Sequence, residues 1–115
     1  MFLIVAPCFD SATEYTRKWV EEVKQEIVNQ GYEFLFLNDR VTRKDVEEML
    51  KKEVVDTLIF YDHGNEDCLW ANESEKAIDM NNVDLLKGKD VYTLACLSAK
   101  KLGVEAFKKD CNIYI

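Results

Sequence analysis

The fold is decided by residues 2–37, FLIVAPCFDSATEYTRKWVEEVKQEIVNQGYEFLFL. Phe2-Leu3-Ile4-Val5-Ala6 is a continuous apolar run, as expected of a strand covered on both faces, and Pro7 ends it. Ser11-Ala12-Thr13-Glu14 has the spacing of a capping box, in which Ser11 and Glu14 satisfy the first free backbone N–H groups of a helix. Trp19, Val23 and Ile27 follow at helical spacing, and Val20 and Val28 widen the same inward stripe. Gly31 suits the left-handed residue that closes the helix. Phe34-Leu35-Phe36-Leu37 then reads as a second strand.

The alternation continues to the end of the chain. Thr42 with Asp45 repeats the capping pattern, and Val46, Met49 and Leu50 form the inward stripe of a second helix. Lys51 and Lys52 fall in its last turn, where cations complement the helix dipole. Thr57-Leu58-Ile59-Phe60-Tyr61 is a third strand. The pattern weakens between Asn65 and Lys87, leaving a short extended piece around Cys68-Leu69-Trp70 and a short helix from Val83 to Leu86. Residues 90–95 are a fourth strand, a helix from Ser98 to Lys109 buries Leu102, Ala106 and Phe107, and residues 112–115 are a fifth strand. Such alternation predicts an α/β fold, a three-layer sandwich whose mainly parallel five-stranded sheet runs in the flavodoxin-like order 2-1-3-4-5.

Composition narrows the function. At 115 residues there is room for one core, so residues 1–115 form a single domain. Apolar residues at 48% and charged residues at 32% are the mix of a globular domain. The longest apolar run is far short of the roughly 20 residues that cross a bilayer, and no basic stretch precedes it as in a secretion signal. Fifteen basic against 22 acidic residues argue against a nucleic-acid partner, which needs clustered Lys and Arg. Cys8, Cys68, Cys96 and Cys111 show no C-x-x-C pair, so reduced thiols in a cytoplasmic protein are expected.

In an open parallel sheet the binding crevice lies beyond the carboxyl ends of the strands. Cys8 and Asp10 follow strand 1, Asn38 and Asp39 follow strand 2, Asp62-His63-Gly64 follow strand 3, and Cys96-Leu97-Ser98 follow strand 4. The one histidine and a cysteine therefore arrive on adjacent strands at one edge. Cys96 also begins a helix, whose first N–H groups favour a thiolate and stabilise a developing oxyanion. A cysteine nucleophile with a histidine base requires this arrangement.

Residues 57–64, an apolar strand ending in His63-Gly64, and residues 91–99, a strand running into Ala95-Cys96-Leu97-Ser98-Ala99, resemble the caspase-like cysteine peptidases: caspases, clostripain, gingipains, separase and the CHAT domains. The resemblance covers nearly the whole chain and implies a minimal caspase-like domain with a peptide or protein substrate and no cofactor. It assigns Cys96 as nucleophile and His63 as general base and acid, with the N–H groups of Gly64 and Cys96 as oxyanion hole. Asp62 and Ser98 join Gly64 as candidate substrate-binding positions.

Two further expectations stand beside the hydrolase. Short loops, an absent sixth strand and Asp62 in place of the Gly often found before the His suit a non-catalytic binding or scaffold module, a piece of a longer protein or a homodimer formed by pairing at the edge of strand 5. Cys8, His63, Cys68 and Cys96 also make a Cys₃His set of the kind zinc takes tetrahedrally, although their spacing matches no finger, and the expectation is of no metal. Asp62, Glu66 and Asp67 are read as a solvated acidic loop; the alternative is a pocket selecting Arg or Lys, as the clostripain-like and separase-like branches imply. Cys111 belongs to packing at the amino end of strand 5. An interrupted acidic cluster around Asp10 and the lack of a glycine-rich loop disfavour receiver domains, flavodoxins and nucleotide binding.

Overall fold

Leu3, Ile4, Val5 and Ala6 are all buried, because β1 (Phe2–Pro7) lies inside the sheet and its side chains enter a core on each face. β2 (Phe34–Asp39) lies along one edge, with Phe2 opposite Phe34, and β3 (Thr57–Tyr61) along the other, with Phe2 opposite Thr57. The computed structural model describes residues 1–7, 11–94 and 97–115, and only the backbone of 11–17 and 39. The Ser11–Glu14 capping box therefore falls outside the described side chains.

Three short strands follow β3. β4 (Gly64–Asn65), β5 (Cys68–Trp70) and β6 (Lys76–Ile78) form an antiparallel sheet of their own. The chain then returns through a 3₁₀ turn (Val83–Leu86) to β7 (Asp90–Leu94), parallel to β3, and ends on β8 (Ile113–Tyr114), parallel to β7. The fold is α/β, with a five-stranded parallel sheet ordered β2-β1-β3-β7-β8. The expected 2-1-3-4-5 numbering changes because the segment read as one extended piece supplies three strands to a second sheet.

Side chains alternate across strands, so the main sheet has two cores. On one face Leu3, Val5, Leu58, Phe60 and Val91 pack against α2 (Arg43–Leu50), the small sheet, the 3₁₀ turn and the last helical segment. That segment winds as a π-turn over Ala99–Gly103 and continues as α3 (Val104–Lys108). On the other face Ile4, Ala6 and Ile59 meet Val20 and Ile27 of α1 (Ser11–Asn29).

Three expected core positions are outside. Phe107 is 68% exposed, because it stands five residues after buried Leu102, about 140° round an α-helix from it. Trp19 and Val28 are exposed as well, since the apolar stripe of α1 is wider than the strip of sheet it covers.

The caps read from sequence are present where their side chains are described. Asp45 N–H donates to Thr42 Oγ1 and Thr42 N–H to Asp45 Oδ2, both at 3.2 Å. Gly31, at φ +81°, closes α1 with Tyr32 N–H donating to Ile27 O and Gly31 N–H to Val28 O, a Schellman turn. The small sheet is fastened to α2 by Arg43, whose guanidinium reaches both oxygens of Asp79 at 2.7 and 3.1 Å and whose N–H donates to Glu75 Oε1 at 2.6 Å. Asn82 Nδ2 adds bonds to Glu47 Oε2 and Ala77 O. Among the described residues no helix is long and apolar enough to cross a membrane.

Candidate functional site

Tyr61 and Leu94 are the last registered pair of β3 and β7, and the chain beyond each holds the residues singled out from sequence. After Tyr61 the polypeptide turns inward. Asp62 is buried, His63 half-buried and Gly64 buried at the start of β4. Trp70 N–H donates to His63 O at 3.0 Å, so the backbone of His63 is fixed by the small sheet. A cavity of about 260 Å³ opens beside the imidazole, lined by His63, Trp70, Asn72 and Glu73. Lys76 Nζ lies 5.7 Å from the centre of the Trp70 ring, a cation–π distance.

Ala95 and Cys96 lie outside the described residues, as do Cys8 and Asp10. Leu97, the next described position after Cys96, has φ +61°. A side-chain-bearing residue there costs about 1–2 kcal/mol relative to the right-handed region, and such strain gathers at functional turns. Ser98 is buried; its carbonyl accepts from Gly103 N–H and its Oγ from the Tyr114 hydroxyl, both at 3.0 Å. Gly103 makes room for this bond, since a Cβ there would stand 2.9 Å from Tyr114 Cδ1.

The two halves of the edge are joined through the β4–β5 turn. Glu66 O accepts from the N–H groups of Lys101 and Leu102, at 3.1 and 2.8 Å. Its carboxylate stands 3.8 Å from Lys100 and 3.4 Å from Lys101. The acidic loop is thus not uniformly solvated: Asp62 is buried and Glu66 is ion-paired, while Asp67 is exposed. Packing of the turn onto the last helical segment accounts for the pairing of Glu66.

The described thiols are in inert surroundings. Burial pushes the Cys68 thiol up from its ordinary range, and does the same to Cys111, whose Sγ donates to Lys89 O and Ile113 O. Lys89 is itself buried and donates to Val55 O, with its ammonium pushed down by desolvation. Burial raises the Tyr114 phenol to about 12, against a smaller opposing effect of its bond to Ser98. Of the Cys₃His set, Cys8 and Cys96 lie outside the described residues; among the described residues no group of three or more His, Cys, Asp or Glu could hold a metal ion.

Sequence reasoning missed the Trp70–Glu73 cavity, the Glu66 carbonyl bonds and the Tyr114–Ser98 pair. Each is a contact between distant segments and leaves no local pattern. The chain matches no family model, no curated protein and no solved structure.

Proposed function

We propose that the chain is a small caspase-like cysteine hydrolase, a three-layer domain that acts on a peptide bond through His63 and Cys96. His63 takes the thiol proton as Cys96 Sγ bonds to the carbonyl carbon, and the carbonyl π electrons move onto oxygen. The N–H groups of Gly64 and Cys96 hold that oxyanion. Collapse breaks the C–N bond, His63 returns the proton to the leaving amine, and water then cleaves the thioester with His63 as base. This chemistry needs no cofactor and suits the reduced thiols of a cytoplasmic protein.

The observation that carries the proposal is the pair of backbone bonds from Lys101 and Leu102 to Glu66 O. They tie the turn that follows His63-Gly64 to the helical segment that follows Cys96. The cavity beside His63 is then the pocket for the side chain preceding the cut. Its Trp70 wall and Glu73 suit a long cationic side chain, with Glu73 in the role first considered for Asp62, Glu66 and Asp67. Ser98 supports the turn from below through Tyr114.

Turnover of peptidyl-coumarin reporters ending in Arg, Lys or Asp tests the proposal. Hydrolysis of the basic reporters, lost in Cys96→Ala with the circular dichroism unchanged, is the expected result. Activity surviving Cys96→Ala refutes the mechanism, and equal or better cleavage after Asp refutes the pocket assignment.

A second reading is favoured by the exposed apolar residues of β7 and β8. In it the chain is a non-catalytic module that pairs with another chain, including a second copy at the β8 edge. Light scattering over a range of concentrations tests that pairing, and a strict monomer counts against the homodimer.

A further inference from the structure

Among the described residues, the side of the main sheet that carries α1 is only half covered. Ile4, Ala6 and Ile59 are buried beneath Val20 and Ile27, whereas Tyr92 and Leu94, which share that face of the sheet by register, are 42% and 41% exposed. Ile113, level with Asp90 on the last strand, is also exposed. A groove of about 500 Å³ runs here between α1 and the uncovered strands. Its floor includes Tyr92 and Leu94, and its wall is Trp19, Glu22, Val23 and Glu26 of α1.

The dimensions and the charge select an occupant. The sheet side of the groove is β3 and β7, adjacent strands about 4.8 Å apart, and β8 pairs with β7 only at Asp90 and Val91, so the floor beside α1 is open toward that edge and takes one α-helix laid along α1. The floor is a hydrogen-bonded sheet presenting side chains, which takes an apolar stripe rather than another strand. Glu22 and Glu26 stand one turn apart on the wall, in a chain of net charge −7, and Glu26 Oε1 accepts from Gln30 Nε2 at 2.8 Å. Carboxylates at i and i+4 along a groove call for cations at the same spacing on what fills it. α3 of a second copy, with only Val104 and Phe107 exposed among its apolar residues, would fill little more than one turn of the groove.

We propose that the groove between α1 and β7 is a docking site for an amphipathic helix of another polypeptide, which lays an apolar stripe on Tyr92 and Leu94 and points Lys or Arg at Glu22 and Glu26. This is helix-in-groove recognition, with anchors at i, i+3, i+4 and i+7. It rests on the α1 face of the sheet and not on the His63 and Cys96 chemistry, although its Tyr61 and Leu94 end adjoins the carboxyl edge.

The test uses the full chain and two fluorescein-labelled helical peptides that share one leucine stripe, one flanked by lysines and the other by glutamates. Fluorescence anisotropy should show the lysine peptide binding at least about tenfold more tightly than the glutamate peptide. Glu22→Lys with Glu26→Lys should reverse that order. Leu94→Asp should abolish binding although it adds negative charge, which separates groove docking from general attraction. Both variants alter exposed positions, and circular dichroism checks that they fold. Binding that ignores the Glu22/Glu26 reversal, or that strengthens in Leu94→Asp, overturns the proposal. Self-association of the wild-type chain that Leu94→Asp abolishes also overturns it, by assigning the groove to a second copy.

Discussion

Replacing Asp79 with Asn, or Arg43 with Met, should release the small antiparallel sheet from α2. The guanidinium of Arg43 meets both carboxylate oxygens of Asp79, at 2.7 and 3.1 Å, with the two side chains 27% and 17% exposed. Opposite charges about 4 Å apart attract by about 4 kcal/mol at an effective dielectric near 20. Desolvation and the ordering of the long Arg side chain offset roughly half of that, which leaves a coupling of about 2 kcal/mol. The pair also carries a pH signature. Its hydrogen bond to Arg43 holds the Asp79 carboxyl below the usual range, helped by the N–H groups of Asn81 and Asn82. A carboxyl lowered in the folded state stabilises fully above its unfolded pKa of about 3.9, and that contribution is lost as pH falls through the folded value. Urea unfolding of the wild type, both single variants and the double variant closes the cycle. The coupling should be about 2 kcal/mol near pH 7 and should shrink below about pH 4. A coupling under about 0.5 kcal/mol, or one unchanged down to about pH 2, refutes the clamp.

Other consequences are equally direct. The Tyr114 phenol, pushed up to about 12, keeps its proton in the folded state beyond the unfolded value. Its contribution is complete below about pH 10 and is lost as pH rises through about 12, so Tyr114→Phe should flatten the alkaline loss of stability, at a cost of about 1 kcal/mol near neutrality. Asp110 sits at φ +67° in the Schellman turn that ends α3, where Cys111 N–H donates to Ala106 O. Asp110→Gly should relieve up to about 1 kcal/mol and raise Tm by a few degrees; a lower Tm contradicts the strain assignment. Gly103→Ala should cost about 1–3 kcal/mol by displacing the Tyr114 ring, and stability within about 0.5 kcal/mol of the wild type would show that the ring yields freely.

Local physics made much of the sheet legible. β1 reads as a strand buried on two faces because Leu3 to Ala6 are all apolar, and they are all buried. Thr42 and Asp45 announce α2 because a capping box is a four-residue device, and Gly31 announces the end of α1 because a left-handed residue favours glycine. The small sheet escaped for the opposite reason. Strands of two and three residues have no period to read, and what holds them is Arg43 reaching Asp79 across 36 positions. Trp19 and Phe107 carry apolar character that says nothing about how much of each side chain the fold covers, and both are exposed. At the candidate site, the strand-end position of His63 and Gly64 was legible from the preceding apolar run. The burial of Asp62, the pairing of Glu66 with Lys100 and Lys101 and the left-handed Leu97 were not, because neighbours distant in sequence impose them.

The central claim is an activated thiolate at Cys96, and its most direct measurement is the rate of modification of each cysteine in the native protein by an uncharged peptidyl electrophile between about pH 6 and pH 8. Cys68 and Cys111, buried and with raised thiol pKa values, serve as internal standards that label only on unfolding. A dyad predicts fast labelling of Cys96 that persists below the ordinary thiol range and is lost in His63→Ala. Labelling of Cys96 no faster than that of Cys8, or unchanged in His63→Ala, would contradict it.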